Sequence, residues 1–389
     1  MAALTACLVA GTFPAAPHRE RASSVSTALT PASIAFDHGG GEGSNWDVKA
    51  AAAYLDKRQG WWMEWPRAQR DHQTFCVSCH TAVPYALSRF SLRAPLGEHD
   101  PSPNERKLLD NVVRRVRLWR EVAPFYSDAE RGPHKTAESR GTESVLNALI
   151  LASRDAQGGQ LSSDARTAFD NMWAEQQIRG DNRGAWLWLR FNNEPWEAND
   201  SDFYGATLAA VAIGAAPADY RATPEVRKRT RLLAEYLQRE SARQTILNRV
   251  ALLWAAAKLP GLMERASQEA IVAELLSRQQ PDGGWSLPSL VGDWKRADGT
   301  PQEQKSDGYS TGIIVFALEQ AGSSGHRDAL RRGIAWLTAN QDKSAGSWPA
   351  YSLNKNEEHH ISPATALFMR DAATSYAVLA LSAYADTSF

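Results

Sequence analysis

From about Asn45 onward the chain alternates between two kinds of segment with helical spacing, and this alternation restricts its possible folds more than any single residue does. Charged segments run over Asp47–Arg58, Glu105–Arg120, Ser163–Gln177, Pro224–Glu240, Arg265–Gln280 and Arg327–Gln341. Each carries apolar residues at steps of three and four with Arg, Glu or Gln between them, the pattern of a half-exposed helix. Between them lie segments of Ala, Gly, Leu and Val with few charges: Cys76–Phe90, Thr142–Arg154, Asp202–Ala215, Leu247–Leu259, Asp307–Ala321 and Asp371–Ala385. Such helices are buried on most sides. The starts of these apolar segments recur with a loose period of about sixty residues. Six hairpins, each with an exposed and a buried member, close most simply into two concentric layers. The expectation is an all-α fold, a single α/α toroid over residues 46–389, with an open helical solenoid as the alternative.

A second repeated element follows the charged helices. Gln279-Gln280-Pro281-Asp282-Gly283-Gly284-Trp285 is the fullest copy, and Asn340-Gln341 through Gly346-Ser347-Trp348 repeats it. Gln59-Gly60-Trp61-Trp62 and Gln176-Gln177 through Gly184-Ala185-Trp186 are weaker copies. A Gln at a helix end can bond free carbonyls of the last turn while the Trp covers the next hairpin. The Q-x-x-D-G-G-W segment resembles the QW repeat of squalene and hopene cyclases. The six-hairpin pattern resembles the toroid those cyclases share with the β subunits of protein prenyltransferases.

That resemblance implies a fold and suggests chemistry to test residue by residue. Class II cyclases protonate an alkene with the central Asp of a D-x-D-D motif. The nearest match is Asp200-Ser201-Asp202-Phe203, which places Asp202 as a candidate general acid but puts Phe203 where the last Asp should be. Asp307 and Asp371 open later apolar segments in the same way, so all three are candidate site residues at one end of the ring. The residues themselves favour a helix cap over a catalytic acid at each, since an acceptor at a helix start satisfies free N–H groups. The prenyltransferase zinc site is broken, because Gly308 stands for its thiolate and no His occurs in Asp371-Ala372-Ala373-Thr374.

The most specific chemical motif is Cys76-Val77-Ser78-Cys79-His80. C-x-x-C-H is the attachment signature of c-type haem, in which two thiols bond the porphyrin and the His binds iron. It implies covalent haem c on Cys76 and Cys79 with His80 as axial ligand. Candidates for the opposite ligand are Met369, His359, His360, His134 and Met63. A zinc site formed by His72, Cys76, Cys79 and His80, or a redox dithiol, are the alternatives. The loop Glu194, Trp196, Glu197, just before Asp200, is either a cavity rim or ordinary surface. Glu138 and Glu143 read as caps or ion pairs.

Composition narrows the partners. A net charge of -1 excludes the electrostatic footprint of a nucleic-acid or anionic-membrane binder. No stretch approaches the roughly 18 apolar residues of a membrane span. Three Cys exclude a disulfide framework, and 14 Trp indicate aromatic-lined surfaces. Residues 1–16 resemble an export signal without its basic start, and Leu4-Thr5-Ala6-Cys7 fits a lipobox, so Cys7 is a candidate lipid anchor. Residues 17–45 read as a flexible tether. Together these features describe an exported, periplasmic or secreted haem protein that oxidises a small apolar, terpenoid-like ligand or passes electrons to a redox partner. A terpene cyclase using Asp202 and a non-catalytic toroid with a zinc site are the competing readings.

Overall fold

A computed structural model describes residues 46–322 and 326–387. The expected signal, lipobox and tether at residues 1–45 lie outside them. Twelve helices build the architecture: α1 (Val48–Glu64), α2 (Ala82–Ser88), α3 (Pro103–Arg117), α4 (Lys135–Asp155), α5 (Ser163–Glu175), α6 (Ser201–Ala215), α7 (Pro224–Glu240), α8 (Ile246–Lys258), α9 (Arg265–Ser277), α10 (Gly308–Gln320), α11 (Arg327–Ala339) and α12 (Phe368–Thr387). The even-numbered helices form the inner layer. α2 packs on α4, α4 on α6, α6 on α8, α8 on α10, α10 on α12, and α12 returns to α2. The layer is therefore a closed ring, the α/α toroid expected from the sequence, and the open solenoid is excluded.

Local chemistry starts the helices where the pattern requires. Asp47 caps α1 by accepting from the Ala50 N–H, and Ser102 caps α3 in a reciprocal capping box with Glu105. Ser162, Thr245 and Asp307 cap α5, α8 and α10. Inner helices bury nearly every side chain, as in α10, where all residues from Gly308 to Leu318 are buried. Outer helices expose their charged faces, so the layers follow from where each sequence can place its charges.

The Gln and Trp staples exist in three of the four copies, with bonds beyond those expected. The Trp takes a free carbonyl of its own outer helix, as Gln177 also does through Glu175 O: Trp186 Nε1 donates to Met172 O at 2.6 Å, Trp285 to Leu275 O at 2.7 Å, and Trp348 to Leu337 O at 2.6 Å. The Gln reaches forward to the next outer helix. Gln176 Nε2 donates to Arg229 O on α7, Gln279 Nε2 to Ala329 O on α11, and Gln341 Nε2 to Asp47 O at the start of α1. Gly346 is needed beside this last joint: its φ is +79°, and a Cβ there would lie 2.0 Å from Ala50 O.

The expected first inner helix differs at its start. Residues Gln69–Arg70 and Thr74–Phe75 form a short antiparallel pair, and the helix begins only at Ala82. Cys76–His80 is thus irregular chain leading into α2. Its backbone is held by Cys76 N–H donating to Ala68 O, and by Trp62 Nε1 donating to Cys76 O at 2.6 Å. Among the described residues no helix is long and apolar enough to cross a membrane.

Candidate functional site

The N-terminal ends of the inner helices and the loops that precede them form one mouth of the ring. Asp202, Asp307 and Asp371 lie at these ends, and their oxygens are occupied by structural partners. Asp202 accepts from the Trp188 N–H and Asn182 Nδ2, both at 3.0 Å, and pairs with Arg190. Asp307 caps α10 through the Ser310 N–H and Oγ and accepts from the Leu287 N–H at 2.6 Å. In two repeats, then, the Asp fastens the chain just after the Trp to the start of the inner helix. Burial holds the Asp307 carboxyl up at about 6, against the opposing effect of these donors.

Asp371 has a different set of partners. Arg58 grips it through Nε at 2.6 Å and Nη2 at 2.9 Å, while Tyr54 and Thr81 donate to it at 2.9 and 2.8 Å. Thr81 also touches His80 Nδ1 at 2.9 Å. A hydroxyl that donates to Asp371 can only accept from the imidazole, so the ring proton sits on Nδ1. Burial, with Arg58 nearby, lowers the His80 pKa to about 3 and keeps the imidazole neutral.

Aromatic side chains fill this mouth. His80 stacks on Phe368 with ring centroids 3.8 Å apart, meets Trp62 edge-on at 5.0 Å and lies 5.6 Å from Trp196. Trp196 contacts Tyr309 at 5.9 Å, and Tyr309 contacts Tyr376 at 5.5 Å. Tyr204 on α6 and Tyr376 on α12 belong to opposite members of the inner ring, and their side chains meet across its axis. The bore is thereby bridged. Trp61 and Trp65 stack at 5.2 Å beside Phe368, forming a partly exposed aromatic shelf.

The loop from Arg190 to Asp200 crosses the mouth. It folds back on itself through the Asn193–Glu197 bridge and is held to the loop before α12 by Asn354, whose Oδ1 accepts from the Glu194 N–H and whose Nδ2 donates to Glu194 O. The Glu194 side chain is only 3% exposed, and its Oε1 is enclosed without a hydrogen-bond partner. Burial, reinforced by the neighbouring Asp200 carboxyl, raises its pKa to about 8, so it is protonated at neutral pH. Asp200 is also shifted upward by burial and is anchored by Asn248 Nδ2 at 3.0 Å. Glu197, partly buried on the same loop, is raised to about 7 by burial. With Glu194 and Trp196 buried, this loop is packed into the mouth and is not ordinary surface. Glu143 is an ion pair, fully buried with Arg115, and Glu138 pairs with Lys135.

The residues expected to hold haem do not present a porphyrin site. Cys76 and Cys79 are buried, and Cys79 lies within electrostatic reach of Tyr204, Tyr376 and Glu197. With His80 enclosed by Trp62, Phe368 and Trp196, a macrocycle would have to displace most of the mouth. The distal candidates do not converge either: Met369 is buried in α12, His359 pairs with Asp298 at the surface, His360 sits in the adjoining loop with Nε2 enclosed and unpartnered, His134 precedes α4, and Met63 lines an external groove beside α3. His72 faces solvent beside Asp71. Among the described residues no three His, Cys, Asp or Glu side chains converge as metal ligands.

No protein-family model matches the chain, and no curated protein matches it. Solved structures do. A possible member of the GH105 family from Klebsiella pneumoniae aligns over 88% of this chain and 93% of its own, at 10% identity and a TM-score of 0.50. A wild-type glycosidase aligns over 87% of this chain and 98% of its own, at 14% identity and a TM-score of 0.46, and a polysaccharide lyase over 89% and 92%, at 11% and 0.37. The first of these establishes the likeness of fold. The enclosed Cys76–His80 segment, in a fold shared with the possible GH105 family member, overturns the expected haem-dependent oxidoreductase or electron-transfer role. The terpene cyclase reading is corrected as well: Asp202 is spent on Trp188, Asn182 and Arg190. The zinc-stapled binding module lacks its expected ligand set: His72 pairs with Asp71 in solvent, and no three such side chains converge among the described residues.

Proposed function

We propose that the chain cleaves glycosidic bonds of a saccharide at the mouth of the ring, with Glu194 as general acid and Asp200 as its carboxylate partner. The observation that carries this reading is Glu194 itself: a buried carboxyl, neutral at pH 7, with one oxygen unpartnered, on a loop that also bears a second carboxyl. Glycoside cleavage needs such a pair, one protonated group to deliver a proton to the leaving oxygen and one ionised group to activate water or attack the sugar. A proton donor with a pKa near the working pH is effective because it is both protonated and willing to transfer. Asn248 holds Asp200 beside it, and the partly exposed Trp61–Trp65 shelf offers flat apolar faces to sugar rings. The toroidal fold, shared with the possible GH105 family member, agrees with the reading.

The test is release of new reducing ends, or of an unsaturated product, from a broad panel of oligosaccharides by the full chain. Wild type should turn over at least one class. Glu194→Gln, which keeps shape and burial but has no proton to give, should lose about 10²-fold or more in kcat. No cleavage of any saccharide by wild type, or full turnover by Glu194→Gln, overturns the reading.

A further inference from the structure

Glu194 and Pro195 stand at the tip of a turn that closes on itself through the paired backbones of Asn193 and Glu197. The tip is tied outward by Asn354, 160 positions later, whose side-chain amide brackets this one residue: Oδ1 accepts from the Glu194 N–H at 2.8 Å, and Nδ2 donates to Glu194 O at 2.6 Å. Those two groups belong to the peptide planes on either side of Glu194. Holding both planes fixes the direction of its Cβ and of the carboxyl beyond. Only an amide in this orientation serves, because turned over it sets donor against donor and acceptor against acceptor.

Asn354 is itself braced from behind. The segment between α9 and α10 bonds the chain around it at four places. Arg296 Nε donates to Ser352 O at 2.9 Å, Trp294 Nε1 to Leu353 O at 3.1 Å, and the Ala297 N–H to Asn354 O at 3.2 Å, while Asp298 Oδ2 accepts from the Asn356 N–H at 2.7 Å. Arg296 is buried, and Glu303 meets its charge. Three loops of the mouth are thus joined in series, and the series ends on Glu194.

We infer that Asn354 is a positioning residue that acts through Glu194, holding its carboxyl in the enclosed place from which it would protonate the leaving oxygen. The inference rests on the reading of Glu194 as general acid. Released from Asn354, the tip swings outward and water reaches the carboxyl, which removes the burial that retains its proton. The groups in electrostatic reach of Glu194 are Asp200 on its own loop and Tyr309 on α10. The bracing loops carry Arg296 with Glu303, Asp298 with His359, and Lys355. Asn354 has no charge, so its removal alters the surroundings of Glu194 through position and water alone.

The experiment follows the carboxyl carbons of the full chain, isotope-labelled at glutamate, by NMR over a pH series. The Glu194 signal is the one absent from Glu194→Gln. In Asn354→Ala its midpoint should fall from about 8 by roughly one pH unit or more, towards the value of about 4.3 for a free Glu. On a saccharide that wild type cleaves, kcat should drop about 10²-fold with a smaller change in KM, and the alkaline limit of the rate should move down with the carboxyl. In the Glu194→Gln background the same exchange should cost less than about twofold in kcat, since the group it positions is gone. A residue that only supports the fold would lower the urea midpoint, leave the titration and the pH profile in place, and cost the same kcat in both backgrounds; that result overturns the inference. If wild type cleaves no saccharide, the reading of Glu194 as acid falls, and the titration decides the placement separately: a lowered midpoint in Asn354→Ala upholds it, and an unmoved one overturns it.

Discussion

Gln341 and Asp47, 294 positions apart in sequence, hold each other by two bonds: Gln341 Oε1 accepts from the Asp47 N–H at 2.6 Å, and Gln341 Nε2 donates to Asp47 O at 2.9 Å. The side-chain amide mimics a peptide group and joins the last outer helix to the first. Trp46 and Trp348 meet beside this joint at 5.8 Å. Gln341→Ala removes both bonds from a partly buried site and should lower stability by about 1–3 kcal/mol, read as a lower urea midpoint with unchanged far-UV dichroism. An unchanged midpoint would show that the ring stays closed through helix packing alone.

The Arg58–Asp371 pair should be far more sensitive. Both groups are almost fully buried, and Asp371 also receives Tyr54 and Thr81. Asp371→Ala leaves a buried guanidinium without its counter-charge, a loss of about 3–5 kcal/mol. The double variant Arg58→Leu/Asp371→Leu should recover most of that loss, because apolar packing replaces the pair without stranding either charge. Denaturant melts of the three chains check it, and a double variant as unstable as Asp371→Ala would refute it.

Gly205 tests the fit between an inner helix and its preceding loop. A Cβ there would lie 2.1 Å from Cε3 of Trp188, whose N–H Asp202 accepts. Gly205→Ala must therefore displace a fully buried Trp, and overpacking of this kind typically costs about 1–3 kcal/mol or more. Thermal melting should fall, and the near-ultraviolet dichroism of the Trp side chains should change with it.

Glu194 makes a pH prediction whose sign is fixed by its upward shift to about 8. An unfolded Glu releases its proton near pH 4.3, whereas the folded group keeps it until about pH 8. Between those values the folded state binds more protons, so stability is highest at the acid end and falls as pH rises through 8. Glu319, raised to about 8 by burial, adds the same sign. Urea melts at pH 5, 7 and 9 should show the decline, and Glu194→Gln should flatten part of it. Saccharide turnover should fall above pH 8 as the acid loses its proton.

Much of the ring is legible in the chain. The range of α7, Pro224–Glu240, coincides with its expected segment, and most other helices fall within a few residues of theirs, because a half-exposed helix must alternate charge and apolarity along its whole length. The first hairpin is misread: Ser78, which caps local N–H groups, and the strand pair before it delay the helix to Ala82. No periodicity reports such side-chain caps. Glu194 and Glu197 are visible as an acidic aromatic loop, but nothing local distinguishes rim from surface. Tyr204, Tyr309 and Tyr376 look like ordinary inner-helix residues until three helices bring them together.

The sequence by itself determined the two layers and their six hairpins, since these depend on spacing along the chain; it located the Gln–Trp segments, but which carbonyls they bond was decided by residues as far as 294 positions away. Tertiary structure alone decided what the chemically suggestive residues do. Asp202 becomes a fastener and Asp371 a buried counter-charge, while Cys76–His80 is sealed among aromatic rings and Glu194 becomes a neutral acid. The reason is physical: burial and the charges nearby set a group's protonation and its free valences, and those neighbours come from distant parts of the chain.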